Sequence, residues 1–239
     1  MGRVVTEIAA ADPDVTIVAG VDAYGDTYAG YPVYKLIGEC TEAADVIIDF
    51  STAAAVDALI AYGTERNIPM VVCTTGLSDS QIEAVREASE HVAILRSGNM
   101  SLGINLLMKL VRDAAKTLTK NGYDPEIIEE HHRRKIDAPS GTALMLADSV
   151  NEGAGGTYTN TYGRHERMEA RNAKEIGISS IRGGSIVGVH DVLFAGQDEV
   201  IELKHTAYSR AIFAKGAFAA AKFLAGRGPG LYDMSDVIG

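Results

Sequence analysis

Seven consecutive residues, Glu129-Glu130-His131-His132-Arg133-Arg134-Lys135, gather two carboxylates, two imidazoles and three cations, and Ser140-Gly141-Thr142 follow shortly after. His131 and His132 titrate near neutrality unless perturbed, so either could donate or accept a proton at working pH. Lys135 adds a full positive charge. Ser140, Gly141 and Thr142 precede Ala143-Leu144-Met145-Leu146-Ala147, which reads as the opening of a helix. Hydroxyls and backbone N–H groups at such a start form a site for a carboxylate or phosphate. The stretch therefore predicts proton transfer on an anionic substrate. A metal centre is not expected: adjacent histidines on an extended chain point to opposite faces, and Cys40 and Cys73 lie too far off in sequence to complete a zinc shell.

The elements that must hold these groups follow from the flanks. Ile127-Ile128 has strand character, Pro139 and Gly141 mark a turn, and a helix follows, so the local plan is strand, loop, helix. With 239 residues, 46% hydrophobic and 23% charged, the chain can build one large or two modest cores. Its 32 acidic against 22 basic residues, a net charge of −10, argue against nucleic acid or an anionic membrane as partner. An anionic ligand must then be drawn by local charge. No apolar run reaches spanning length or resembles a secretory segment, and two cysteines make no disulfide framework. The expectation is a soluble protein of a reducing compartment, the cytoplasm.

Along the chain, residues 4 to 10 have helical spacing, and Val15 to Asp22 reads as a buried strand ending in a carboxylate. Asp45 to Phe50 predicts a strand, Ala53 to Arg66 a helix, Pro69 to Cys73 a strand, and Val92 to Leu95 another. Ser78 and Gln81 form a capping-box pattern between them. Alternation of this kind predicts an α/β fold with a parallel, doubly wound sheet, whose ligands bind at the carboxyl ends of its strands. Cys73-Thr74-Thr75-Gly76 and Ser97-Gly98-Asn99-Met100 occupy such ends. An amphipathic helix from Leu102 to about Thr119 leads away, and a domain boundary falls there. Residues 151 to 175 carry no sustained period and read as a long loop or arm, with His165, Arg164 and Arg167 on a solvated stretch. Residues 176–181, 186–194 and 199–205 read as successive strands of a sheet of hairpins, joined at Gly183-Gly184 and Gly196-Gln197-Asp198. A strongly apolar helix then runs from Ala211 to Gly226.

The run from Glu129 to Ala143 resembles the signature of the dihydrodipicolinate reductase (4-hydroxy-tetrahydrodipicolinate reductase) family. Further matches are Cys73 to Gly76, Ser97 to Met100, His205-Thr206-Ala207-Tyr208-Ser209-Arg210 and Gly230-Leu231-Tyr232-Asp233-Met234, so the likeness spans nearly the whole chain. It implies a Rossmann-like dinucleotide-binding domain from residues 1–101 and 211–239. A substrate-binding and tetramerisation domain of α+β type with a mixed sheet would occupy 102–210. The implied activity is reduction of 4-hydroxy-tetrahydrodipicolinate to tetrahydrodipicolinate with NADH or NADPH, in the diaminopimelate route to lysine. On this resemblance His131 is the general acid or base, and Lys135 is a second proton donor and charge stabiliser. His132, Ser140, Gly141 and Thr142 bind the small dicarboxylate substrate.

Cofactor contacts implied by the same resemblance are Met1, Gly2, Asp22, Cys73, Thr74, Thr75, Ser97, Gly98, Asn99 and Met100. Gly2-Arg3 fits the last glycine of the G-x-G-x-x-G turn and the arginine after it, so the sequence begins inside that turn, without the first strand and most of the glycine loop. Asp22, about 20 residues on, stands where an acid meets the adenosine ribose and favours NADH. Two other readings stay open: a non-catalytic paralogue or truncated chain that keeps the substrate pocket but binds cofactor poorly, and a different dehydrogenase or metal-dependent hydrolase built on His131, His132 and Glu129.

Overall fold

The computed structural model describes residues 1–25 and 30–239. In chain order its elements are α1 (Gly2–Ala9), β1 (Gly20–Val21), β2 (Val33–Tyr34), β3 (Ile47–Asp49), α2 (Ala53–Glu65), β4 (Met70–Val72), α3 (Asp79–Ser89) and β5 (Ala93–Arg96). Then come α4 (Leu102–Leu118), β6 (Asp124–His131), α5 (Gly141–Gly153), β7 (Thr159–Tyr162), β8 (Glu175–Arg182), β9 (Gly188–Ala195) and β10 (Val200–Ala207). The chain closes with α6 (Ala211–Leu224), β11 (Gly230–Tyr232) and α7 (Met234–Ile238). They form two compact units, Met1–Leu102 with Ala211–Gly239, and Gly103–Arg210.

In the first unit β11, β5, β4 and β3 lie side by side, all parallel. Side chains alternate between the faces of a strand. Met70 and Val72 of β4 therefore pack with Val56, Leu59 and Ile60 of α2 and Val85 and Ala88 of α3, while Val71 packs with Ala217, Ala220 and Leu224 of α6. Burial on both faces is why these strands are short, continuous apolar runs. The expected capping box forms: Ser78 Oγ accepts from the Gln81 N–H, and Gln81 Oε1 from the Ser78 N–H. In α6, Gly216 lies so close to the Met100 carbonyl that a Cβ there would overlap it. The strand expected over Val15 to Asp22 is much shorter, because only Gly20 and Val21 pair, with β2, in a separate two-stranded parallel sheet. Among the described residues nothing pairs with the other edge of β1, and Val18 and Val21 remain 38% and 47% exposed. Apolar sequence without a ladder partner does not make a strand.

The second unit is a five-stranded mixed sheet in the order β10-β9-β6-β8-β7, with α4 and α5 over one face. Ile104, Leu107 and Val111 of α4 and Ala143, Leu146 and Val150 of α5 close on Ile127, Ile176, Ile178, Val192 and Phe194. Two expectations are corrected here. The strands after residue 175 are not a run of hairpins: β6 lies between β8 and β9, parallel to the first and antiparallel to the second. Gly183-Gly184 thus joins strands that are not neighbours, because the earlier β6 takes the place between them; among the described residues only β9 and β10 form a hairpin. Nor is 151–175 a featureless arm. Thr159–Tyr162 pairs with β8 as a polar edge strand, and the stretch beyond it is tied down by Arg164 and Arg171.

Candidate active site

β6 positions the chemistry. Its side chains alternate, so Pro125, Ile127, Glu129 and His131 turn to one buried side while Glu126, Ile128 and Glu130 are half-buried. A carboxylate on an apolar face must be fully partnered. Glu129, with no exposed surface, meets that demand: Arg182 of β8 donates Nη1–H to Oε2 at 2.9 Å and Nη2–H to Oε1 at 2.7 Å, and the Ser140 N–H reaches Oε1 at 3.2 Å. His131 Nδ1 lies 2.5 Å from Oε2. Burial alone would raise the Glu129 carboxyl, but hydrogen bonds from Arg182, Ser180 and His131 outweigh it and hold the group down to about 2. It is an anion at any working pH.

His131 is 8% exposed. Burial lowers its pKa, opposed by the hydrogen bond and charge of Glu129 and assisted by the charges of Lys135 and Arg182. Its other nitrogen, Nε2, lies over Gly188, where a Cβ would come within 3.1 Å. His190 of β9 meets the His131 ring edge-on at 5.1 Å between centroids. Burial, together with the neighbouring His131, pushes His190 down to about 4, so it is neutral at pH 7. Its Nε2 is 3.0 Å from Ser140 Oγ. That hydroxyl also accepts from the Ala143 N–H at 3.1 Å, as the N-cap of α5.

Between β6 and α5 the chain turns through a cis Ala138–Pro139 peptide. Lys135 Nζ is paired with Asp137 Oδ1 at 2.8 Å, and Arg182 Nη2 also donates to the Asp137 carbonyl at 2.6 Å. Of the residues singled out in sequence, His131 and Ser140 thus meet at one carboxylate, Gly141 and Thr142 open the helix beside it, and Lys135 is held by Asp137 in the loop between. His132 is half-buried and has no partner at Nδ1 among the described residues. Sequence reasoning gave Glu129 no role in the reductase reading and missed Arg182, Ser180 and His190. One signal was available: Glu129 and His131 share the apolar face of an alternating strand, and a buried carboxylate there demands a cation.

In the first unit Asp22 and the two loops Cys73 to Thr75 and Ser97 to Met100 follow the carboxyl ends of parallel strands, whereas Met1 and Gly2 lie at the start of α1. Asp22 follows β1 and accepts the Tyr24 N–H through Oδ1 at 2.9 Å. Thr74 and Thr75 follow β4, with Thr74 Oγ1 3.5 Å from Ser51 Oγ. In the loop after β5, Ser97 Oγ donates to the Asn99 carbonyl at 2.9 Å, and Asn99 Oδ1 accepts from the Ser101 N–H at 2.9 Å. Gly98 and Met100 belong to that loop, Met100 being buried in the core under α6. The Cys73 side chain belongs to the same core, and burial raises its thiol pKa, so any ligand contact there is through the backbone. Met1 is the N-cap of α1 without a side-chain capping bond, and Gly2 opens the helix. Asp49, at the end of β3, keeps a buried Oδ2 with no partner among the described residues. Strand ends carrying hydroxyls, an exposed acid and an orphaned carboxylate oxygen suit the donors of a dinucleotide.

The family profile described as dihydrodipicolinate reductase, N-terminus, matches residues 1–100, and that described as dihydrodipicolinate reductase, C-terminus, matches residues 103–238. A 4-hydroxy-tetrahydrodipicolinate reductase of Caldanaerobacter subterraneus subsp. tengcongensis is 50% identical over 239 residues, covering 100% of this chain and 94% of that protein. One from Clostridium novyi is 45% identical over 238 residues, with 100% and 94% covered. Among solved structures, dipicolinate-bound dihydrodipicolinate reductase from Paenisporosarcina sp. TG-14 shares the fold, with a TM-score of 0.81 at 24% identity over 97% of this chain and 92% of that one. By profile and by identity along its length, the chain belongs to the dihydrodipicolinate reductase family.

Proposed function

We propose that the chain reduces 4-hydroxy-tetrahydrodipicolinate to tetrahydrodipicolinate, with loss of water, in the diaminopimelate route to lysine. As a member of its family it is a nicotinamide-dependent oxidoreductase. A bound dihydronicotinamide supplies the hydride, which goes to C4 of the substrate. His131 exchanges the accompanying proton, and Lys135, released from Asp137, stabilises charge and serves as second proton donor. His132, Ser140, Gly141 and Thr142 receive a substrate carboxylate at the start of α5, with Ser140 Oγ steadied by His190. The observation that carries this reading is a buried histidine on an ionised glutamate, joined through Ser140 to a helix start.

Met1, Gly2, Asp22, the backbone of Cys73, Thr74, Thr75, Ser97, Gly98, Asn99 and Met100 are the cofactor's contacts in this reading, and the acid at Asp22 favours NADH by repelling a 2′-phosphate. The chain assembles as a homotetramer through its second unit, and the enzyme works in the cytoplasm. Steady-state kinetics tests the chemistry: His131→Gln and Lys135→Ala each lower kcat by about 100-fold or more, with cofactor affinity by calorimetry unchanged. Variants that stay within about tenfold of the parent sink the assignment. Titration with NADH and NADPH side by side reads the preference, and tighter NADPH binding overturns the part given to Asp22.

A further inference from the structure

We infer that Glu129, clamped by Arg182, is a positioning residue that fixes which nitrogen of His131 carries its proton and ties that imidazole to the start of α5. The inference rests on His131 being the proton-transferring group, and adds the residues that make it one.

Glu129 has four well-defined donors around two oxygens: both Arg182 Nη groups, the Ser140 N–H and His131 Nδ1, at 2.9, 2.7, 3.2 and 2.5 Å. An ionised carboxylate only accepts hydrogen bonds. Nδ1 of His131 must therefore be protonated, and in the neutral ring Nε2 is left as the bare, basic nitrogen. Nε2 is the atom over Gly188, where glycine leaves the space that a side chain would fill. Proton exchange is thereby assigned to one atom. A carboxylate that orients a histidine through the far nitrogen works in this way wherever the two are buried together.

Arg182 decides whether the arrangement holds. Without a cation, a carboxylate with no exposed surface would take up a proton, its O–H could donate to Nδ1, and the tautomer would no longer be fixed. A guanidinium spans both carboxylate oxygens, which a lysine ammonium cannot do with equal geometry. The same Oε1 that Arg182 holds also holds the Ser140 N–H, so one carboxylate sets the imidazole and the first turn of the helix that receives the substrate. The charged and titratable groups facing His131 are Glu129 on its own strand, Lys135 on the following loop, Arg182 on β8 and His190 on β9. Among the described residues only Glu129 contacts Nδ1 as an acceptor.

The test reads the tautomer and the pH profile together. Nitrogen NMR on histidine-labelled protein, with His131→Gln used to assign its signals, should find His131 protonated on Nδ1 in the parent. Glu129→Gln, whose amide can donate to Nδ1, should move the proton to Nε2. That variant should also lower kcat by about 100-fold or more, leave cofactor affinity unchanged and displace the pH limb that belongs to His131. Arg182→Lys should fall between the parent and Arg182→Met in turnover. A parent protonated on Nε2, or a folded Glu129→Gln with the parent's tautomer and pH limbs, overturns the inference. If Glu129→Gln does not fold, the parent tautomer and the Arg182 pair decide alone. Full turnover in His131→Gln is a different failure: it removes the reading on which the inference rests, whatever the tautomer.

Discussion

Two arginine–carboxylate clusters sit on the two faces of β6, three residues apart, and differ chiefly in depth. On the helix-covered face Arg182 grips Glu129, whose side chain has no exposed surface. On the other face Arg164 grips Glu126 at 2.7 Å and Glu175 at 2.8 Å, and Arg171 reaches Glu126 at 2.9 Å and Asp124 at 2.7 Å. Glu126 retains 26% of its side-chain exposure. The chemistry is the same, yet the first cluster governs a histidine and the second fastens a connecting segment to the sheet. Depth makes the difference: a dry carboxylate transmits its charge to the groups it touches, whereas a wet one is screened and serves as an anchor.

The comparison can be broken most severely at Arg182. Arg182→Met strands a buried charge, and denaturant unfolding should register a loss of about 3–5 kcal/mol. Acid comes next. Glu129 and His190 both bind protons less readily in the folded state, the first at about 2 instead of 4.5 and the second at about 4 instead of 6.5. Folding stability is then complete above pH 6.5, falls toward pH 4 as unfolded His190 gains its proton first, and falls again below pH 4.5 through Glu129. The His190 part amounts to roughly 3 kcal/mol, and His190→Gln should make the decline between pH 6.5 and 4 shallower, leaving the parts of His131 and His205, which burial also lowers. A parent whose stability is level across that window contradicts the burial of a neutral His190.

On the outer face, Arg164→Ala should cost about 1 kcal/mol, near the top of the range for exposed pairs because Glu175 is itself buried. Its sharper signature is local: amides of residues 163–174 should exchange faster while those of β6 do not. The smallest effect belongs to Arg86, paired with Glu83 at 2.5 Å on the surface of α3 with 57% and 51% of the side chains exposed. Arg86→Ala should leave the melting temperature unmoved. If it matched Arg164→Ala, depth would not be the controlling variable.

Much of the first unit was legible in sequence because its signals are local. Ala53–Glu65 and Met70–Val72 lie within the limits drawn from periodicity, and Ser78 with Gln81 announced the start of α3. The alternation that separates His131 from His132 was equally plain. What escaped was set at long range. Nothing near Gly183-Gly184 tells that β6 comes between the strands on either side, since that depends on which edges are free when the sheet closes. Thr159–Tyr162 is too polar to read as a strand until β8 offers it an edge. Arg182 and His190 lie on strands whose local pattern explains them as ordinary sheet residues, and only the buried Glu129 and the capping Ser140 give them a purpose.

The long-range character of the site has a consequence for when it can exist. Glu129 and Arg182 are separated by 53 residues, and Ser140 and His190 by 50. A ribosome that has completed the histidine-rich stretch still needs several seconds to add β8 and β9. Until then the nascent chain carries an unclamped glutamate and a mobile imidazole, with the reactive groups made and the machine not yet assembled. Any fragment that ends before Arg182 keeps the signature and lacks the site.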